Sequence, residues 1–269
     1  MKTLKLAVIG KDVSKSVSPE IHGFIAEKMG NSVEYTKISI PEDRFESEID
    51  ALLTALDGCN VTIPYKLSII PHLKKIEGDA KVFGAVNTVT TRDMRGDNTD
   101  GMGFSMMLKN NGVDVNGKNV LLLGAGGAGR SVAKKLLDAG AKVSVFDMKK
   151  ENVSALKKEF GGIVCLNEVI SAPYFAIINA TGVGMHKTEG ISPVGEDILK
   201  NCEVAIDLIY TPQKSRFLEI AESLGKKIIN GRAMLFYQAY YSECIYFGLP
   251  ANDRQAKELF EMFSKEEII

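Results

Sequence analysis

Near the middle of the chain an apolar run, Asn119-Val120-Leu121-Leu122-Leu123, ends in Gly124-Ala125-Gly126-Gly127-Ala128-Gly129, and a helical pattern follows over 130–139. Few turns constrain a chain more. A strand feeding a GxGxxG turn and then a helix lets the backbone approach a ligand closely and aims the first helical amides at it. The group so held is a pyrophosphate, so the run predicts a dinucleotide cofactor bound by Gly124, Ala125, Gly126, Gly127, Ala128 and Gly129. Glycine-rich turns also occur for packing alone, and the flanking pattern decides between the two readings. Val132, Leu136 and Ala139 recur at helical spacing. A second apolar strand, Val143-Ser144-Val145-Phe146, ends in Asp147, where a ribose-binding acid is expected.

The rest of the chain alternates in the same way, which makes the fold class α/β. Residues 4–9 and 33–38 read as strands, with helical patterns over 18–29 and 42–56. Short strands at 60–63 and 85–90 bracket a helix over 67–73, and most strands of this part are expected to be parallel. After a helix over 101–110, strands at 143–146, 176–179, 204–208 and 228–229 join the glycine-turn unit in a Rossmann-like, doubly wound parallel sheet. Two final helical patterns, 233–247 and 253–265, have no strand of their own to cover, so they return to the first part. The expected domains are a substrate domain of residues 1–101 joined by 232–269, and a dinucleotide-binding domain of residues 102–231.

Charge narrows the partners. Thirty-three basic residues stand against thirty-four acidic ones along the 269 residues, for a net charge of −1, so no electrostatic footprint for nucleic acid or an anionic membrane is expected. Cys59, Cys165, Cys202 and Cys244 show neither CxxC spacing nor a Cys/His ligand pattern and read as reduced, mostly buried thiols. His22, His72 and His186 read as surface or packed residues, and no metal is expected. The first apolar run gives way to Lys11 and Asp12, too short for a signal peptide, and no stretch nears the roughly 20 apolar residues of a membrane span. The expectation is a cytoplasmic monomer or homodimer that acts on a small molecule.

Three polar clusters in the first hundred residues are candidates for that molecule. In Asn60-Val61-Thr62-Ile63-Pro64-Tyr65-Lys66 a lysine follows a strand end, and Asp97-Asn98-Thr99-Asp100-Gly101 offers a carboxylate. If the fold brings Lys66 beside Asp100, the carboxylate orients the ammonium in a site suited to acid/base work. Taken singly, Lys66 reads as an ordinary helix-start lysine on a solvated face and Asp100 as a helix cap, and only together do they point to catalysis. The third cluster contains Ser16 and Ser18 at the end of the first strand, where α/β sheets place ligands; there the hydroxyls could grip a carboxylate, or Ser18 could simply cap the helix beginning at Pro19.

It is the order of the motifs that carries a resemblance. Ser16-x-Ser18-Pro19-x-Ile21-His22, the Asn60–Lys66 run, Gly84-Ala85-Val86-Asn87-Thr88, the Asp97–Gly101 run and the glycine turn come first. Asn179-Ala180-Thr181-x-x-Gly184-Met185, Asp207-Leu208-Ile209-Tyr210-x-Pro212 and Met234-Leu235-x-x-Gln238 follow. The series resembles the shikimate dehydrogenase family over nearly the whole chain. The resemblance implies reversible hydride transfer between a nicotinamide cofactor and shikimate, giving 3-dehydroshikimate, in aromatic amino-acid biosynthesis. By similarity Lys66 is the acid/base, and Asp100 is its partner and a ligand for the substrate hydroxyls. Asn87 and Gln238 complete that grip, and Ser16, Ser18 and Tyr210 hold the carboxylate, with Thr62 nearby. Thr181, Leu208 and Gly231 fall at cofactor positions, the last two beside the nicotinamide.

One departure bears on the cofactor, NAD or NADP. Where many members of the family carry Asn-Arg-Thr after the second cofactor-domain strand, this chain has Asp147-Met148-Lys149. A carboxylate there hydrogen-bonds the ribose hydroxyls of NAD and repels the 2′-phosphate of NADP, so NAD is the preferred cofactor, with Lys149 and Lys150 as the opposing feature. NAD-using relatives include quinate/shikimate dehydrogenases, which are the alternative enzyme reading. The distant alternative is a non-catalytic sensor of shikimate or a nucleotide; Lys66 and Asp100 argue against it, because binding alone needs no proton relay.

Overall fold

Apolar runs in which every residue is buried belong inside parallel sheets covered on both faces, and short punctuated runs belong at their edges. The computed structural model describes residues 3–266 and follows that logic. In chain order it forms β1 (Leu4–Gly10), α1 (Ser18–Lys28), β2 (Val33–Ser39), α2 (Phe45–Ala55), β3 (Gly58–Val61), β4 (Lys75–Ile76), α3 (Gly78–Phe83), β5 (Thr88–Thr90), β6 (Arg95–Asp97) and α4 (Asp100–Asn110). Then come β7 (Asn119–Leu123), α5 (Gly127–Asp138), β8 (Lys142–Phe146), α6 (Lys150–Phe160), β9 (Ile163–Cys165) and β10 (Tyr174–Asn179). The chain closes with α7 (Glu196–Leu199), β11 (Cys202–Asp207), α8 (Arg216–Ser223), β12 (Lys227–Ile229), α9 (Arg232–Phe247) and α10 (Asp253–Phe263).

Two compact units result, one formed by Met1–Met106 with Phe236–Ile269 and the other by Met107–Leu235. The first holds a six-stranded sheet in the order β2-β1-β3-β5-β6-β4. Five of its six strands run the same way, as expected, and β5 alone is reversed. β1 pairs parallel with β2 and β3, as β4 does with β6, but β3/β5 and β5/β6 are antiparallel. The reason is local: only residues 91–94 join β5 to β6, too few for a parallel crossover. The helix expected over 67–73 shrinks to a 3₁₀ turn, Ile70–His72, because Pro71 lacks the amide that an α-helix needs there. Phe45, Ile49 and Leu53 of α2 pack on Ile9 of β1 and Val61 of β3 in one apolar cluster.

The second unit has a six-stranded sheet in the order β12-β11-β10-β7-β8-β9, parallel throughout. Read from the other end, this is the doubly wound dinucleotide-binding order, with the reversal of direction between β7 and β10. Phe217 and Leu218 of α8 and Ile198 of α7 pack with Leu121 and Ala205 beneath it. Among the described residues no helix is long and apolar enough to cross a membrane.

Candidate active site

In the first unit, β3 runs out at Val61 and the chain turns through Thr62 to Lys66, where Tyr65 is buried and donates its hydroxyl to the Ile40 carbonyl at 2.5 Å. That anchor leaves Lys66 half-buried, its Nζ donating to Oδ2 of Asp100. Asp100 opens α4 in a turn set by Asn98, whose Oδ1 accepts the Asp100 amide at 3.0 Å while its Nδ2 donates to the Ala85 carbonyl at 2.8 Å. Asn98 thus shapes the turn into α4, of which Asp100 is the first residue.

Asn87 connects the pair to the rest of the cluster. Its Nδ2 donates to Asp100 Oδ1 at 2.8 Å, to Thr99 Oγ1 at 3.0 Å and to Gln238 Oε1 at 3.4 Å, while its Oδ1 accepts the Thr99 amide at 2.9 Å. Asn87 and Asp100 are buried and Gln238 on α9 is half-buried. The result is one ammonium, one carboxylate and two amides joined in a network, suited to gripping ring hydroxyls and moving a proton.

Ser16 and Ser18 sit together. Ser16 Oγ donates to Ser18 Oγ at 3.0 Å and accepts the Ser18 amide at 3.2 Å. Ser18 makes no helix cap. α1 begins at Ser18 itself, Val17 is the capping residue and no side chain caps the helix, so the hydroxyl of Ser18 lies inside the first turn and is turned toward its neighbours. Burial pushes the Tyr35 phenol well up, and a hydrogen bond with Ser18 opposes that shift. Tyr35 in turn donates to Asn60 Oδ1 at 2.8 Å, and Asn60 Nδ2 donates to the Asn87 carbonyl at 3.1 Å. A hydrogen-bonded path therefore joins Tyr35 to the Lys66 network. Thr62 stands just beyond β3, its amide on the Ile9 carbonyl at 2.9 Å.

Sequence reasoning gave no role to Asn60, Thr88, Thr99 or Ser242, which join this network. Ser242 Oγ lies 2.8 Å from Thr88 Oγ1 and 3.1 Å from Thr99 Oγ1 and accepts from Asn60 Nδ2 at 3.1 Å. A signal was present: Ser242 stands one helical turn after Gln238 and so shares its face.

In the second unit, α5 begins at Gly127 and its N-cap, Gly126, has no side chain to satisfy the first amides. A Cβ on Gly126 would meet nothing within 4 Å, whereas one on Gly129 would fall 2.1 Å from the Gly124 carbonyl oxygen. Open space above the turn and tight packing beneath it suit a pyrophosphate. Asp147 closes the turn from the side: its Oδ2 accepts the Ala125 amide at 2.7 Å and its Oδ1 the Lys149 amide at 2.8 Å. Thr181 donates its hydroxyl to Asn179 Oδ1 at 2.7 Å, and Asn179 Nδ2 donates to Asp207 Oδ1 at 3.0 Å. Asp207 is fully buried, and that burial raises its carboxyl above the usual carboxylate range even though Ser215, Ile209 and Asn179 all donate to it. Leu208 and Gly231 are pressed together, since a Cβ on Gly231 would sit 2.0 Å from the Leu208 carbonyl oxygen. Burial likewise raises the Tyr210 phenol.

A glycine turn opening a helix at the switch point of a doubly wound sheet, in a chain that also carries a lysine held on a buried carboxylate, fits the class of dinucleotide-dependent oxidoreductases. Residues 8–89 match the shikimate dehydrogenase substrate binding domain. The chain is 35% identical over 249 residues to the shikimate dehydrogenase (NADP(+)) of Carboxydothermus hydrogenoformans, covering 88% of this chain and 89% of that protein. Among solved structures, shikimate dehydrogenase 1 from Peptoclostridium difficile superposes with a TM-score of 0.89 at 34% identity, over 98% of both chains. Shikimate 5-dehydrogenase from Thermus thermophilus, in complex with NADP(H) and shikimate, gives 0.85 at 33% identity over 95% of this chain and 98% of that one. The chain belongs to the shikimate dehydrogenase family and is an oxidoreductase.

Proposed function

We propose that this enzyme interconverts shikimate and 3-dehydroshikimate with NAD or NADP, and that Lys66 is the acid/base. The family supplies the reaction, and the Lys66–Asp100–Asn87 array supports the roles. A nicotinamide dinucleotide bound at the glycine turn supplies or accepts the hydride. Lys66 takes the proton of the reacting hydroxyl as a neutral amine and returns it as an ammonium in the reverse direction. Asp100 keeps that nitrogen in place with one oxygen while its other oxygen is fixed by Asn87. Asn87 and Gln238 bind the ring hydroxyls. Ser16 and Ser18, with Thr62 nearby, hold the substrate carboxylate through neutral donors. In this reading residues 1–101 and 232–269 serve the substrate, and residues 102–231 serve the cofactor.

The finer cofactor assignment is NAD. Asp147 supports it, because two backbone amides fix its carboxylate at the end of β8, where it accepts ribose hydroxyls and repels a 2′-phosphate. The exposed Lys149 and Lys150, and relatives named for NADP(+), set the opposing expectation.

Lys66→Ala tests the central role. Turnover should fall at least ~10²-fold, about 2.7 kcal/mol of transition-state stabilisation, while shikimate still binds. Equal turnover by wild type and variant would remove Lys66 from the reaction.

A further inference from the structure

Behind the substrate residues lies a buried pair that the chemistry above does not use. His22 on α1 and Glu243 on α9 are both 0% exposed, with Nδ1 of the imidazole 2.5 Å from Oε1 of the carboxylate. Their remaining polar atoms, His22 Nε2 and Glu243 Oε2, have no hydrogen-bond partner among the described residues. A buried charged or polar pair satisfied on one side only adds little net stability over an apolar pair of like size, so its placement calls for another explanation.

The placement is specific. His22 follows Ser18 by one helical turn on α1, and Glu243 follows Gln238 and adjoins Ser242 on α9. The His22 ring stacks on Tyr35 with centroids 4.3 Å apart, and Tyr35 carries the hydrogen bond to Asn60. We propose that His22–Glu243 is a positioning pair that sets the separation between the carboxylate side of the shikimate pocket, Ser16 and Ser18, and its hydroxyl side, Asn87 and Gln238. Shikimate is a rigid ring whose carboxylate and hydroxyls stand at fixed distances, so a slip of α1 against α9 releases one end when the other is gripped. The proposal rests on the substrate roles assigned above.

The test replaces both partners together, His22→Phe with Glu243→Met, which removes the pair without stranding one member. The double variant should keep its melting temperature and its KM for the cofactor, keep kcat within about threefold, and raise the KM for shikimate about tenfold or more. Glu243→Gln, which retains an acceptor for His22, should restore a KM near that of wild type. A double variant with the wild-type KM for shikimate, or one whose two KM values rise together, overturns the proposal. Should the double variant fail to fold, Tyr35→Phe reads the same path, because it keeps the stacked ring and removes only the hydroxyl that meets Asn60 and Ser18; an unchanged KM for shikimate there is equally fatal. Ser18→Ala run alongside separates the two levels. If it too leaves the KM for shikimate unchanged, the substrate assignment itself fails, whereas a raised KM in Ser18→Ala alone sinks only the positioning role.

Discussion

In the proposed reading Asp147 combines a structural role with a selective one. Both of its oxygens accept backbone amides, one from the glycine turn and one from its own turn, so its carboxylate is fixed before any ribose arrives. Asp147→Asn keeps an acceptor and removes the charge. The ratio of kcat/KM with NAD to that with NADP should then fall about tenfold or more, roughly the 1.4 kcal/mol of one repelled phosphate contact. Initial rates with each cofactor at saturating shikimate check this, and an unmoved ratio would leave Lys149 or Lys150 in control. Lys66, Asp100, Ser16 and Ser18 were legible in the sequence because each lies in a short run rich in polar groups. The partners of Asn60 and Ser242 were not, because an Asn at a strand end and a Ser in a helix carry no local mark of what they meet.

At the scale of elements, the strand, glycine turn and helix formed by β7 and α5 contain two glycines that face opposite demands. Gly129 is pressed against the Gly124 carbonyl, whereas Gly126, at φ −73 and ψ −165, sits over empty space. Gly129→Ala should therefore disturb the turn and lower the melting temperature, since a Cβ 2.1 Å from a backbone oxygen forces the helix off the strand. Gly126→Ala should fold normally and yet raise the KM for the cofactor about tenfold or more, because the new methyl occupies the pyrophosphate's approach. Thermal melts and cofactor titrations on both variants separate the effects, and Gly126→Ala with wild-type cofactor affinity would argue against the cradle. Long periodic elements such as α9 were visible in advance, whereas β4 and β6, of two and three residues, were too short for any period to appear.

For the molecule as a whole, burial of thiols and phenols sets an alkaline limit on stability. Burial pushes the Cys59 thiol up to about 12, the Tyr240 phenol up to about 12 and the Cys202 thiol up to about 11. In the unfolded chain these groups ionise at their ordinary values, so above about pH 9 the unfolded state has lost protons that the folded state retains, and stability falls as pH rises. Each fully shifted group contributes a slope of about 1.36 kcal/mol per pH unit between its unfolded and folded values. Melting temperatures should thus decline steeply from about pH 9 towards pH 11, and Cys59→Ala should flatten that decline whatever its effect at pH 7. A parallel decline in wild type and variant would mean that Cys59 does not contribute. The sequence alone determined the α/β class, the glycine turn, the family and the residue types proposed for the chemistry, because these rest on short-range periodicity and on motifs a few residues long. Only the tertiary structure decided that the first sheet is mixed, that Asn87 meets Gln238 across 151 positions and that His22 meets Glu243 across 221. Such contacts depend on strand register and on the packing of one helix against another, and neither leaves a trace in the residues next door.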